Sequence, residues 1–342
     1  MKIAHVLKPW LPVPSLAYGA IEKMLAELIA EQSKVDNILL FAVGGSISSE
    51  RVKLISLYPE GQGDKGLDRN TELAQAVHCA LKLQSKDAKI IHAHSIDPFL
   101  GLAPFLKIPS IFTFYSNPTP AVKILSELAG NHTHFTFLSK SHRKSFPWIK
   151  EAGVIHFGLD PNHFPFSEKK KDYLAFVGTI ADKKGIIEAI EIARRAKMRL
   201  KIAAKIRSED KEFYENHAKK VIEDSNHVDF LGELNNSARN NLLKNARAML
   251  FPIKWEEPLG LVMLESLVVG TPVIAFNRGS VPEIIEDGKT GFIVENIDLA
   301  VRTVERVDHL KPVDCRSSIA SKFHIANTAV EFKKLYQRVL SR

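Results

Sequence analysis

Cysteine is nearly missing from this chain: 342 residues hold only Cys79 and Cys315, far apart and in no metal or redox spacing. A disulfide-stapled scaffold and a cysteine-ligated metal domain are thereby excluded, and both thiols are expected to be reduced. Long apolar runs are also missing. None reaches the ~20 residues of a membrane span, and the apolar run within residues 1–7 is too short, and too soon interrupted by polar residues, for a signal peptide. The expected compartment is the cytoplasm. The loop after the first apolar run lacks Gly-x-Gly-x-x-Gly, which excludes a dinucleotide oxidoreductase of the usual kind. No zinc finger, aromatic RNA-binding motif or long basic arm is present, so no nucleic-acid partner is expected.

What is present is ordinary for an α/β protein: 45% hydrophobic and 25% charged residues, in a chain long enough for two domains. The net charge of +8 favours anionic partners, among which nucleotide diphosphates and anionic lipid surfaces both qualify.

Residues 2–7 read as a buried strand, followed by a loop with Pro9, Pro12 and Pro14, a helix opening at Tyr18-Gly19-Ala20, and a second strand at 38–43. This is β-loop-α-β, the start of a Rossmann-like domain. A third strand is expected at 52–57, then a Gly-rich turn and an amphipathic helix over 70–83. The strand over 89–95 ends in His92-Ala93-His94. Such a pair can ligate zinc, but no third ligand stands near in sequence, and the pleat alone puts residues two apart on one face. No metal is expected. Further strands are expected at 109–115 and 135–139. The segment 140–150 mixes Lys140, Arg143 and Lys144 with Phe146 and Trp148. One reading lays it on an anionic membrane surface, and the other is a solvated helix with two packed aromatics.

A charged stretch over 168–172 reads as a linker. Beyond it come a strand at 173–178, the turn Thr179 to Gly185 with Lys184, a helix over 186–196, and a strand at 200–204 with Lys205 at its carboxyl end, where open α/β sheets bind ligands. Then come a strand and turn with Leu231 and Gly232, a helix over 240–246 and a strand at 248–252. Ser280-x-x-Glu283 reads as a capping box, and Gly288-Lys289-Thr290 as a turn. The end of the chain, 327–340, is amphipathic.

The most informative stretch is 256–276. Pro258 suits the entry of a helix over 259–269 and Gly270 with Pro272 its exit. Glu257 precedes this helix and Glu265 lies inside it. A helix N-terminus presents unpaired N–H groups and partial positive charge, which suits a phosphate, and Gly260 lets a ligand approach the backbone at Leu261 and Val262. Glu265 can then accept bonds from a ribose diol and Glu257 from a sugar on the far side of the phosphates. The plain alternative makes Glu257 an acid favoured at a helix N-terminus by roughly 0.3–1 kcal/mol and leaves Glu265 in water.

The run Glu257-Pro258-Leu259-Gly260-Leu261-Val262, with Glu265 and then Gly270-Thr271-Pro272-Val273-Ile274-Ala275, resembles the donor-site signature of family-4 retaining glycosyltransferases of the GT-B fold. The resemblance implies an α/β chain of two Rossmann-like domains facing a central cleft: an acceptor-side domain over 1–167, a nucleotide-sugar donor domain over 168–324, and a C-terminal helix over 325–342 returning to the first. It implies transfer of a hexose from a nucleotide diphosphate sugar to a hydroxyl acceptor with retention. Glu257 and Lys184 would be catalytic. Glu265, Gly260, Leu261, Val262, Thr179, Lys205, Leu231 and Gly232 would bind the donor, and Gly19, Ala20, His94 and Tyr115 would line the acceptor side. No cofactor or metal is expected, and no Asp-x-Asp occurs to bridge a diphosphate through a cation. Ala20, Tyr115 and Thr179 depart from the family pattern of Gly, His and Arg. Those departures keep open a second expectation, a GT-B-fold nucleotide-sugar-binding or scaffold protein with impaired catalysis.

Overall fold

The computed structural model describes residues 1–63 and 69–341, so the end of the Gly-rich turn expected after the third strand lies outside the described residues. Two compact units emerge. The first takes in the described residues of Met1–Ser15, Gly19–Phe157 and Ile325–Arg342; the second comprises Leu16–Tyr18 and Gly158–His324.

The first unit holds strands β1 (Lys2–Leu7), β2 (Asn37–Phe41), β3 (Val52–Ile55), β4 (Ile90–His94), β5 (Ser110–Thr113), β6 (Thr133–Phe137) and β7 (Ala152–Val154). They form one sheet in the order β3-β2-β1-β4-β5-β6-β7, with every pair parallel. Parallel sheets are covered on both faces, which explains why β1, β2 and β4 read as near-continuous apolar runs. Phe41, Phe99, Phe112, Phe137 and Phe146 fill its core. The helix Ile325–Leu340 belongs to this unit: Tyr336 hydrogen-bonds to Gln32 and His92, and Phe332 packs on Phe157.

The second unit holds β8 (Leu174–Thr179), β9 (Leu200–Lys205), β10 (Val228–Gly232), β11 (Ala248–Phe251), β12 (Val273–Phe276) and β13 (Gly291–Val294). Their order is β10-β9-β8-β11-β12-β13, again parallel throughout. Helices Ile186–Arg195 and Ile297–Val304 pack on it through Ile186, Ile190, Ala300 and Val304.

The units divide between Phe157 and Gly158, where the sequence places a boundary after residue 167. The reason is that Leu159 joins the second unit, its N–H donating to Phe323 O at 2.8 Å. The capping box expected at Ser280 and Glu283 does not form. Ser280 is in a helical conformation with no side-chain cap, and its hydroxyl donates to Leu259 O at 2.8 Å instead.

Candidate functional site

In the second unit the expected donor residues gather at the carboxyl ends of β8, β9, β10 and β11. Thr179 ends β8 directly beside Lys205 on β9. The turn after β8 lifts Lys184, whose ammonium donates to Glu257 Oε2 at 2.5 Å. Trp255 Nε1 donates to the same oxygen at 2.8 Å, and the Trp255 ring carries Lys183 Nζ at 4.5 Å and Lys184 Nζ at 5.1 Å. The two residues expected to be catalytic are therefore ion-paired to each other. Glu257 is also fixed through its backbone. Its carbonyl accepts from Ser280 N at 2.9 Å, and Gly279 N donates to Glu256 Oε2 at 2.8 Å, so the loop after β12 braces the loop after β11.

The helix begins at Leu261 and ends at Val268, shorter than expected. Gly260 is its N-cap in the left-handed region at φ 69°, a conformation that costs other residues roughly 1 kcal/mol or more. A Cβ there would also meet Met263 Cε at 2.6 Å. Pro258 thus stands outside the helix. The helix is buried on nearly every side, with only Val262 half-exposed among Leu261 to Val268.

Glu265 is 6% exposed and does not point to water. Arg239 Nη2 donates to its Oε1 at 2.6 Å, and Arg239 Nη1 donates to Asn236 Oδ1 at 2.9 Å. Sequence reasoning missed Arg239, because a lone Arg on a polar helix gives no signal. Arg239 Nε and Thr179 Oγ1 are buried without a hydrogen-bond partner. Lys205 Nζ lies 4.0 Å from Glu233 Oε2 and 5.0 Å from the Tyr18 ring centroid. Arg207 is tied to Asp210 and Glu209. Leu231 is exposed, and Gly232 faces open space.

In the first unit Gly19 caps the helix Ala20–Gln32 at φ 122°, where a Cβ would meet Ser15 Oγ at 2.6 Å and Glu22 Oε2 at 2.7 Å. Ala20 is exposed. Burial raises the carboxyl group of Glu22 to about 7, against the pull of Lys23 and Lys8. His94 is fully buried and Tyr115 nearly so; the Tyr115 hydroxyl and His94 Nδ1 lie 2.8 Å apart. Burial holds the phenol well above its usual value. Tyr115 is no proton carrier at neutral pH.

The fold supplies the third imidazole that the sequence did not show near His92 and His94. His5 on β1 joins them, with one nitrogen from each ring inside a 4.8 Å group. Each ring nitrogen already has a protein partner: Gln32 and His94 for His5, Tyr336 and Thr113 for His92, His5 and Tyr115 for His94. A cation here would have to displace those bonds. Burial lowers His5 to about 4 and holds His92 and His94 well below the usual imidazole value, so all three are neutral at pH 7.

Residues 140–150 are mostly occupied within the protein. Phe146 is fully buried, Trp148 Nε1 donates to Ser126 Oγ at 2.9 Å, and Arg143 donates to the carbonyls of Phe146 and Ile149. Among the described residues no helix is long and apolar enough to cross a membrane.

Residues 161–311 match the family described as Glycosyl transferases group 1. The glycogen synthase of Mycobacterium tuberculosis is 26% identical over 241 residues, covering 62% of this chain and 57% of that protein. The chain thus spans little more than half the length of that curated relative. AviGT4, a glycosyltransferase involved in avilamycin A biosynthesis, superposes with a TM-score of 0.77 at 22% identity, covering 100% of this chain and 98% of AviGT4. Anabaena HepE in complex with UDP and glucose superposes with a TM-score of 0.73 at 15% identity, covering 99% and 100% of the two chains. The fold is that of the GT-B glycosyltransferases.

Proposed function

Because residues 161–311 match the family described as Glycosyl transferases group 1, we propose that this protein is a metal-independent, retaining hexosyltransferase. It would move a hexose from a nucleotide diphosphate sugar to a hydroxyl of a glycan, lipid-linked or small-molecule acceptor. The observation that carries this reading is the Lys184–Glu257 pair at 2.5 Å beside the N-terminus of the helix Leu261–Val268. Departure of the diphosphate creates negative charge. The N–H groups of Leu261 and Val262 and the ammonium of Lys184 supply preorganised positive charge to it, the kind of term that dominates many enzymatic accelerations. Lys184 leaves Glu257 for the phosphates on binding, and Glu257 then accepts from hydroxyls of the sugar.

Glu265, held by Arg239, offers its other oxygen to the ribose diol. Thr179 and Lys205 face the phosphates, and the backbone at Leu231 and Gly232 reads the base. Gly19, Ala20, His94 and Tyr115 serve the acceptor side. The UDP and glucose bound by the structurally similar HepE support a nucleotide-sugar donor. Any peripheral contact with an anionic membrane would run through the segment 140–150, where Lys140 and Lys144 are exposed.

Calorimetric titration of UDP, GDP, ADP and dTDP into the wild type and Glu265→Ala tests the donor site. Selective binding that the variant loses supports the reading, and sugar release abolished by Glu257→Ala in a folded protein supports catalysis. The unpartnered hydroxyl of Thr179, where the family pattern has Arg, favours one second reading, a nucleotide-sugar-binding protein without turnover. Binding without transfer across donors and acceptors would select it.

A further inference from the structure

A continuous buried hydrogen-bond chain runs through the first unit from Thr113 to Tyr115. Thr113 Oγ1 lies 2.7 Å from His92 Nε2, and His92 Nδ1 lies 2.7 Å from the Tyr336 hydroxyl. Gln32 bridges Tyr336 to His5, its Nε2 donating to Tyr336 Oη at 3.1 Å and its Oε1 lying 2.8 Å from His5 Nε2. His5 Nδ1 then meets His94 Nε2 at 2.9 Å, and His94 Nδ1 meets the Tyr115 hydroxyl at 2.8 Å.

Imidazoles and hydroxyls can each run such a chain in either direction, but a primary amide has one donating and one accepting end. Gln32 is the only link whose two ends differ. Its Oε1 can only accept, so His5 carries its proton on Nε2. His5 Nδ1 is then an acceptor, which puts the His94 proton on Nε2 as well. His94 Nδ1 in turn accepts, and the proton of Tyr115 is committed to it. On the other arm Gln32 Nε2 donates to Tyr336, whose own proton goes to His92 Nδ1, and His92 Nε2–H donates to Thr113. All three imidazoles share one tautomer.

We propose that Gln32 is a positioning residue that sets the direction of this chain, so that Tyr115 offers the acceptor substrate only oxygen lone pairs and binds a hydroxyl that donates to it. The proposal rests on the reading that Tyr115 lies on the acceptor side. His94 and Tyr115 were expected there; the remote control from the helix Ala20–Gln32 was not.

The test is histidine-labelled ¹⁵N–¹H correlation spectroscopy at pH 7.5, which reads each tautomer directly. Wild type should show His5, His92 and His94 all protonated on Nε2; a proton on Nδ1 of His94 overturns the proposal. In Gln32→Glu the carboxylate accepts from both sides. Tyr336 must then donate to it, so His92 should switch to Nδ1–H while His5 and His94 keep Nε2–H. The acceptor KM should stay within about twofold of wild type. In Gln32→Leu both tautomers of His5 and His94 should be populated, and the acceptor KM should rise about tenfold with nucleotide affinity unchanged. Unaltered His94 in a folded Gln32→Leu protein refutes the role of Gln32. Should no acceptor turn over, the transferase reading fails while the tautomers still decide the chain.

Discussion

Replacing His5 with Gln should change the acid sensitivity of the first unit by an amount the structure supplies. Burial holds His5 at about 4 in the folded protein against 6.5 unfolded. A folded value depressed below the unfolded one means that the unfolded chain binds the proton first. The stability is present above pH 6.5 and is lost as pH falls through 4, the full loss below that being ~3.4 kcal/mol at ~1.36 kcal/mol per unit. Between pH 7.5 and pH 5, about 2 kcal/mol is lost. Glu22 acts oppositely. Its folded value of about 7 exceeds the unfolded 4.5, so lowering the pH over the same window returns roughly 2 kcal/mol.

Wild-type stability alone hides the two, and the comparison between wild type and His5→Gln isolates the histidine. Urea titrations in a Trp255→Phe background follow the first unit, because the remaining Trp10 and Trp148 both belong to it. The cost of His5→Gln should be about 2 kcal/mol smaller at pH 5 than at pH 7.5. An identical cost at both values would refute the claim that His5 is buried neutral.

Thr179→Val separates two roles for one hydroxyl. If the unpartnered Oγ1 awaits a phosphate, Val should weaken nucleotide binding about tenfold by calorimetry while stabilising the free protein by up to ~1 kcal/mol; unchanged affinity would end the donor role. Arg239→Met leaves the buried Glu265 carboxylate without its ion-pair partner. The second unit should lose about 3–5 kcal/mol in urea unfolding, and a loss under 1 kcal/mol would show Glu265 to be solvated. Gly260→Ala meets both a left-handed backbone and Met263. It should cost roughly 1–2 kcal/mol and weaken nucleotide binding, and wild-type affinity would disconnect the helix N-terminus from the donor. Lys184→Met should lower turnover at least tenfold, about 1.4 kcal/mol of transition-state stabilisation.

Most of the strands were legible because parallel strands are enclosed on both faces and therefore read as apolar runs, whereas the short strand Ala152–Val154 and the helices Pro120–Leu128 and Pro312–Lys322 were not. The donor loop was legible too, since Glu257, Gly260 and Glu265 stand at fixed distances within one short segment. Local sequence could not show which groups meet across the fold. Glu257 pairs with Lys184 because the loops after β11 and β8 meet, and Glu265 pairs with Arg239 because the helices Leu261–Val268 and Asn236–Asn245 pack together. Ser280 looked like a cap until Leu259 O claimed its hydroxyl. His92 and His94 looked like an incomplete metal pair until β1 brought His5 beside them. Periodicity along the chain decides which faces are apolar, and so the sequence by itself determined the elements and the donor segment. A buried polar atom must instead take whichever partner the packing leaves within reach, and only the tertiary structure decided that the imidazoles would be joined through Gln32.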